Sequence, residues 1–159
     1  MEILVMNRAR AITYSHKYHE EKSVLISINN IIDEPAHISR KTENGILAVL
    51  RLFFDDVDYG NTAMTTSDAN KIAEFVHRYQ YSVDRIIVHC EAGQSRSAGV
   101  AAAIMLYLFG NDDLIFDDPK YRPNMFCYRK TLNALGYHTN CCTTSLGMKY
   151  SPDSKKMKG

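Results

Sequence analysis

Val88-His89-Cys90-Glu91-Ala92-Gly93-Gln94-Ser95-Arg96-Ser97 is the stretch that decides the fold. An apolar run from Arg85 to Val88 leads into it, and a uniformly apolar run from Ala98 to Phe109 leaves it. The pattern is strand, short loop, helix. A loop at the carboxyl end of a strand, where a helix begins, gathers backbone N–H groups and the positive end of the helix dipole at one spot. That spot suits an anion, and Cys90 sits in it.

Working outward, Ile86-Ile87-Val88 is apolar without alternation, as expected of a parallel strand buried on both faces. The helix after the loop is apolar nearly all round and belongs inside the domain, with Gly110 as its C-cap. Residues 111–116 suit one short helical turn. Pro123 marks a helix start, and Phe126, Leu132 and Leu135 predict a last helix ending before Gly136. Upstream, Glu2 to Met6 and Ser23 to Ile28 read as strands, separated by a polar stretch whose His16 and His19 are expected on the surface. Ile46 to Phe54 is a third strand, followed by the acidic run Asp55-Asp56-Val57-Asp58-Tyr59-Gly60. Thr65 to Asp68 offers an N-cap for a helix whose Ile72, Phe75, Val76 and Tyr79 share one face. Strands alternating with helices predict an α/β fold: one domain, a mainly parallel central sheet of about four to five strands, and flanking helices.

A chain of 159 residues can bury a sizeable core as one domain without disulfides or metals. We assign residues 1–150 to that domain and expect the Lys-rich tail, 151–159, to be disordered. A formal charge of +1 exerts no overall pull toward nucleic acid or an anionic membrane, so neither is expected as a partner. The longest apolar run is too short to span a bilayer and no signal-peptide layout opens the chain, which points to the cytoplasm. Cys90, Cys127, Cys141 and Cys142 show no metal-site spacing, and the last three read as incidental thiols in a reducing compartment. Neither a metal nor a cofactor is expected.

A thiol attacks only as its thiolate, so a nucleophilic cysteine needs positive surroundings. The loop amides, the helix N-terminus and Arg96 supply them, and Gly93 permits the tight curl. The same groups bind a phosphate dianion, for which Arg96 offers a planar fork that a lysine lacks. Thiolate and phosphoryl group then face each other in line, giving displacement through a phosphocysteine. Glu91, Ala92, Gly93, Gln94, Ser95 and Arg96 would form the phosphate-binding loop. Ser97 is suited to donate to the leaving thiolate, to cap the helix, or to do both. His89 points away from the loop centre and is read as a residue that fixes the loop from behind and supports a low thiol pKa.

His89, Cys90, Gly93, Arg96 and Ser97 together match His-Cys-x-x-Gly-x-x-Arg-Ser, which resembles the signature of cysteine-dependent protein tyrosine phosphatases. Length and element order are similar to the compact dual-specificity-like members, including bacterial and phage representatives, over roughly residues 3 to 137. The resemblance implies an aspartate acting as general acid from a loop some thirty-odd residues before the cysteine. Three carboxylates fall there: aligning Leu50 to Phe54 with the family's strand selects Asp56, spacing alone would suit Asp58, and a one-residue slip would give Asp55. A plain solvated loop is the alternative to all three.

The implied activity is hydrolysis of phosphotyrosine, or of phosphoserine and phosphothreonine as well, on a protein or a small aryl phosphate. Phosphate, sulfate or vanadate would be active-site ligands. Phosphoinositide-directed relatives carry lysines in the loop; Glu91, Ala92 and Gln94 here disfavour a polyphosphorylated substrate. Tyr14 and Tyr59 are more readily packing residues than pocket walls. Alternatives are a phosphate-recognition module with weak or no catalysis and, further off, sulfurtransferase or arsenate reductase chemistry.

Overall fold

The computed structural model describes residues 1–137. The tail at 151–159, the domain's end at 150 and the Cys141-Cys142 pair lie outside the described residues. The elements run β1 (Glu2–Met6), α1 (Arg8–Ser15), β2 (Ser23–Asn29), β3 (Ile46–Phe53), α2 (Thr66–Tyr79), β4 (Arg85–His89), α3 (Arg96–Phe109), α4 (Asp113–Phe116) and α5 (Met125–Ala134). The four strands form one sheet in the order β1-β4-β2-β3, and every neighbouring pair is parallel. All carboxyl ends therefore share one edge, and β4, which carries the loop, is central.

Side chains on a strand alternate between faces, and the sheet separates two cores accordingly. Val24, Ile26, Ile28, Ile86 and Val88 face the larger core, with α2, α3 and α5. Leu25, Ile87 and Met6 face a smaller one made with Ala11 of α1 and with Ala36 and Ile38. This two-sided cover explains the apolar β4. Residues Arg96 to Leu106 of α3 are buried without interruption. Ala98, Ala101, Ala102 and Ala103 keep that helix thin enough to lie close against its neighbours.

Two local expectations need correction. Residues 8–15, read as a polar stretch, are helical. Asn7 caps α1 by accepting from the Arg10 N–H at 2.8 Å, but Ala11 and Ser15 are its buried residues, too few for an apolar period to register. The last helix starts at Met125 with Asn124 as its cap, so Pro123 precedes it rather than opening it. α2 packs the expected face, with Ile72 and Val76 buried and Phe75 and Tyr79 partly buried against the same core, and Ala69 and Ala73 join them; its Thr65–Asp68 capping box forms as expected.

Candidate active site

β4 delivers His89 to the sheet edge, and residues 90–95 curl into the N-terminus of α3. The curl needs glycine at residue 93. Gly93 has φ +68°, and a Cβ there would meet the Asn7 nitrogen at 2.6 Å and the Met6 carbonyl carbon at 2.7 Å. The loop is held from outside through its carbonyls: Arg8 N–H donates to Glu91 O at 3.1 Å, Arg122 N–H to Gln94 O at 2.9 Å and Asn124 N–H to Ser95 O at 2.9 Å. Among the described residues, no protein acceptor takes the N–H groups of residues 91–95, which leaves them for an anion.

Cys90 is 2% exposed, and its sulfur lies 3.1 Å from the Ser97 hydroxyl. Ser97 sits inside the first turn of α3; the N-cap position belongs to Ser95, so the capping alternative for Ser97 does not hold. Arg96 is 5% exposed. Its Nη1 donates to the Phe54 carbonyl at 2.8 Å, a bond that fixes the guanidinium plane against the end of β3. Its Nε is buried with no partner among the described residues. A buried, unspent N–H donor on an arginine beside the cysteine is what an incoming oxyanion would satisfy.

His89 lies behind the loop, as read from its place on the strand. Its Nε2 is 2.6 Å from Ser27 Oγ and its Nδ1 3.2 Å from the Cys90 carbonyl. The pair fits the neutral tautomer, Nδ1–H donating to the carbonyl and Nε2 accepting from the serine. Burial, with the positive charges of Arg8 and Arg96 adding to it, lowers its pKa to about 4. A neutral imidazole supplies no charge to the thiol, so its hold on the loop is through these two hydrogen bonds. Cys127, by contrast, has its thiol pushed up to about 12, chiefly by burial.

The three aspartates part company. Asp55 is turned away: its Oδ1 accepts from the Ile31 N–H at 3.1 Å and its own N–H bonds Thr62 O. Asp56 leans over the loop, where its Oδ1 accepts from Ser95 Oγ at 2.8 Å and from Asn124 Nδ2 at 2.9 Å. Asp58 lines the same cleft as Asp56, Ser95 and Asn124, without such a tie to the loop. That cleft has a volume of about 600 Å³ and also takes in Tyr59, which is 81% exposed and not a packing residue. Tyr14 is at the opposite edge of the sheet, bonded to Ser23 and Arg85 and stacked on His19.

Sequence reasoning missed Asn124. It caps α5 by accepting from the Cys127 N–H at 3.0 Å and at the same time steadies Asp56. An asparagine directly after a proline and before a helical pattern is an N-cap signal that could have found it. Gly99 belongs to the same arrangement, because a Cβ there would stand 2.4 Å from the Asn124 carbonyl oxygen. Among the described residues, no group of three or more His, Cys, Asp or Glu side chains could hold a metal ion, and no helix is long and apolar enough to cross a membrane.

Residues 63–132 match the model of the Rit1 DUSP-like domain family, a span that includes the loop but not Asp56. No curated protein matches the chain. Among solved structures, the chain is similar to a variant of human DUSP28, with a TM-score of 0.60 and 16% identity over 84% of this chain and 89% of that one. It is also similar to the human tyrosine phosphatase-like serine/threonine/tyrosine-interacting protein, with TM-score 0.58 and 18% identity over 82% and 89%. A mouse putative dual specificity phosphatase complexed with zinc tungstate gives TM-score 0.55 and 17% identity over 84% and 82%. The fold is that of the cysteine-dependent protein tyrosine phosphatase superfamily in its compact, dual-specificity-like form.

Proposed function

We propose that this chain, with that fold and signature loop, hydrolyses phosphomonoesters through a phosphocysteine, acting on phosphotyrosine and, where the cleft admits them, phosphoserine and phosphothreonine. The observation that carries the reading is the convergence on Cys90 of Ser97, the unspent Nε of Arg96 and the unpartnered loop amides, with Asp56 held above. Each group has a task in one displacement.

The Cys90 thiolate attacks phosphorus as the ester P–O bond breaks, and Asp56, protonated, gives its proton to the departing oxygen. Arg96 and the loop amides stabilise the charge on the equatorial oxygens. In the second step the Asp56 carboxylate takes a proton from water, the water oxygen bonds to phosphorus, and the P–S bond breaks. Ser97 donates to the sulfur as its negative charge returns. Because the nucleophile is the thiolate, this chemistry requires no metal. A reducing, cytoplasmic setting would keep that thiol usable.

The test is hydrolysis of a chromogenic aryl phosphate in the presence of a chelator, with a bell-shaped pH profile expected. Cys90→Ser should abolish turnover and retain phosphate or vanadate binding. Turnover that survives Cys90→Ser would sink the reading, and a wild-type protein that binds vanadate without turning over any aryl phosphate would point instead to a phosphate-recognition module. Thiosulfate or arsenate turnover in place of phosphate release would favour the sulfurtransferase or arsenate reductase alternative.

A further inference from the structure

Half of the large apolar side chains exposed among the described residues lie where two neighbouring strands end: Ile31 and Ile32 just after β2, and Phe53, Val57 and Tyr59 at the end of β3 and in the loop that follows. Single exposed apolar residues are ordinary, but a group of them on adjoining segments marks a surface that is covered in use. These segments do adjoin. Asn29 and Phe53 are register partners, the Phe54 N–H donates to Asn29 O at 3.0 Å, and the Ile31 N–H donates to Asp55 Oδ1 at 3.1 Å. The sheet order sets both beside the candidate site, because β2 is the neighbour of β4 and β3 lies one strand further out. Strand spacing makes the lateral distance from the cysteine loop roughly 5 to 10 Å. Val57 and Tyr59 also line the cleft with Asp56 and Ser95, so the patch runs into it. Residues 30–34 and 53–60 contain Asp33, Glu34, Asp55, Asp56 and Asp58 and no lysine or arginine. Among the described residues none of these carboxylates meets a basic side chain; the ion pairs use Glu2, Glu21, Glu91 and Asp118. An apolar surface in a negative field fits a segment that brings a large apolar side chain next to a lysine or arginine, and it repels an acidic one.

We propose that this patch docks the protein substrate, taking a large apolar residue that adjoins a lysine or arginine and lies about three to four positions from the phosphorylated residue. The proposal rests on the phosphatase reading above and gives it a substrate class. The position follows from reach, since about 10 Å of extended chain is three residues. A substrate is favoured over a second copy of this chain because a two-fold contact would set one acidic patch against another, and like charges repel.

The experiment measures kcat/KM on phosphotyrosine peptides that carry Leu-Lys, Leu-Gln, Ser-Lys or Leu-Glu about three to four residues before or after the phosphotyrosine. A small aryl phosphate serves as a substrate that cannot reach the patch. The wild type should favour Leu-Lys over Leu-Glu by about tenfold, on one side of the phosphotyrosine and mainly through KM, with the other two peptides between them. Ile32→Ser should lose the leucine contribution, and Asp33→Asn combined with Glu34→Gln the lysine contribution, while each variant hydrolyses the aryl phosphate within about twofold of wild type. Ile32 is 93% exposed, so its replacement leaves the core untouched, and thermal melts should confirm that both variants fold. A wild type that treats the four peptides alike, or a Leu-Lys preference that survives both sets of substitutions, would overturn the docking surface. Self-association of the wild type that Ile32→Ser abolishes would give the patch to a second copy and overturn the choice of a substrate. If the wild type hydrolyses neither peptide nor aryl phosphate, the phosphatase reading fails by itself. Binding of the Leu-Lys and Leu-Glu peptides to Cys90→Ser then decides the patch, which stands if Leu-Lys binds more tightly and falls if it does not.

Discussion

The two loops that meet over Cys90 are built in opposite ways. Residues 90–97 are contiguous, Cys90, Arg96 and Ser97 are almost fully buried, and the curl is locked against β1 by a backbone approach that only Gly93 allows. The acidic loop is exposed, and Asp56 is oriented by Ser95 and Asn124, which lie 39 and 68 residues away in the chain. The proposed nucleophile and anion grip are thus made by local chain geometry and burial, whereas the proposed proton donor, Asp56, is held by side chains from other elements. The first is held through buried backbone and the second through exposed side-chain hydrogen bonds, a division that suits the proposed reaction, whose acid must become a base between steps.

Breaking the buried side should cost most. Gly93→Ala combines left-handed strain with overlap on Met6 and Asn7, and thermal or urea unfolding should show a loss of about 4 kcal/mol, with anion binding lost as well. A variant as stable as the wild type would show that the contact with β1 gives way easily.

Next comes acid sensitivity. The His89 pKa is lowered in the folded state to about 4 from an ordinary value of 6.5, so the unfolded chain binds the proton more readily. The stability this neutral histidine confers is complete above pH 6.5 and is lost as pH falls toward 4, by about 3 kcal/mol across that window. Urea titrations at several pH values should show the slope in the wild type and its absence in His89→Asn; the same slope in both would assign it elsewhere.

On the exposed side, Asp56→Asn should slow a substrate with a poor leaving group by about a hundredfold and a good leaving group far less, leaving stability unchanged. If Asp58→Asn gives the larger loss, the acid is Asp58 and the contacts of Asp56 only shape the cleft. The smallest effect is expected of Asn124→Ala, about tenfold in kcat and near 1 kcal/mol in stability from the lost α5 cap, because Ser95 still holds Asp56. A loss as large as that of Asp56→Asn would make Asn124 the principal anchor of the acid.

The linear sequence determined what depends on neighbours along the chain. The apolar strand, the cysteine loop and the buried helix that follows were legible because their periodicity and spacing survive in one dimension, and Cys90, Arg96, Ser97 and His89 could be named from them. Tertiary structure alone decided the rest. It gave Asp55 a structural bond to Ile31 and Asp56 two donors from Ser95 and Asn124, the difference that supports proposing Asp56 as the acid. It also formed α1 around Asn7 despite a weak apolar period, and put Arg122 and Arg129 beside a loop about thirty residues earlier in the chain. The physical reason is common to all three. Chain-local geometry follows from φ/ψ preference and side-chain period, while the partner of an exposed carboxylate or arginine depends on which distant elements the sheet order brings to the same edge.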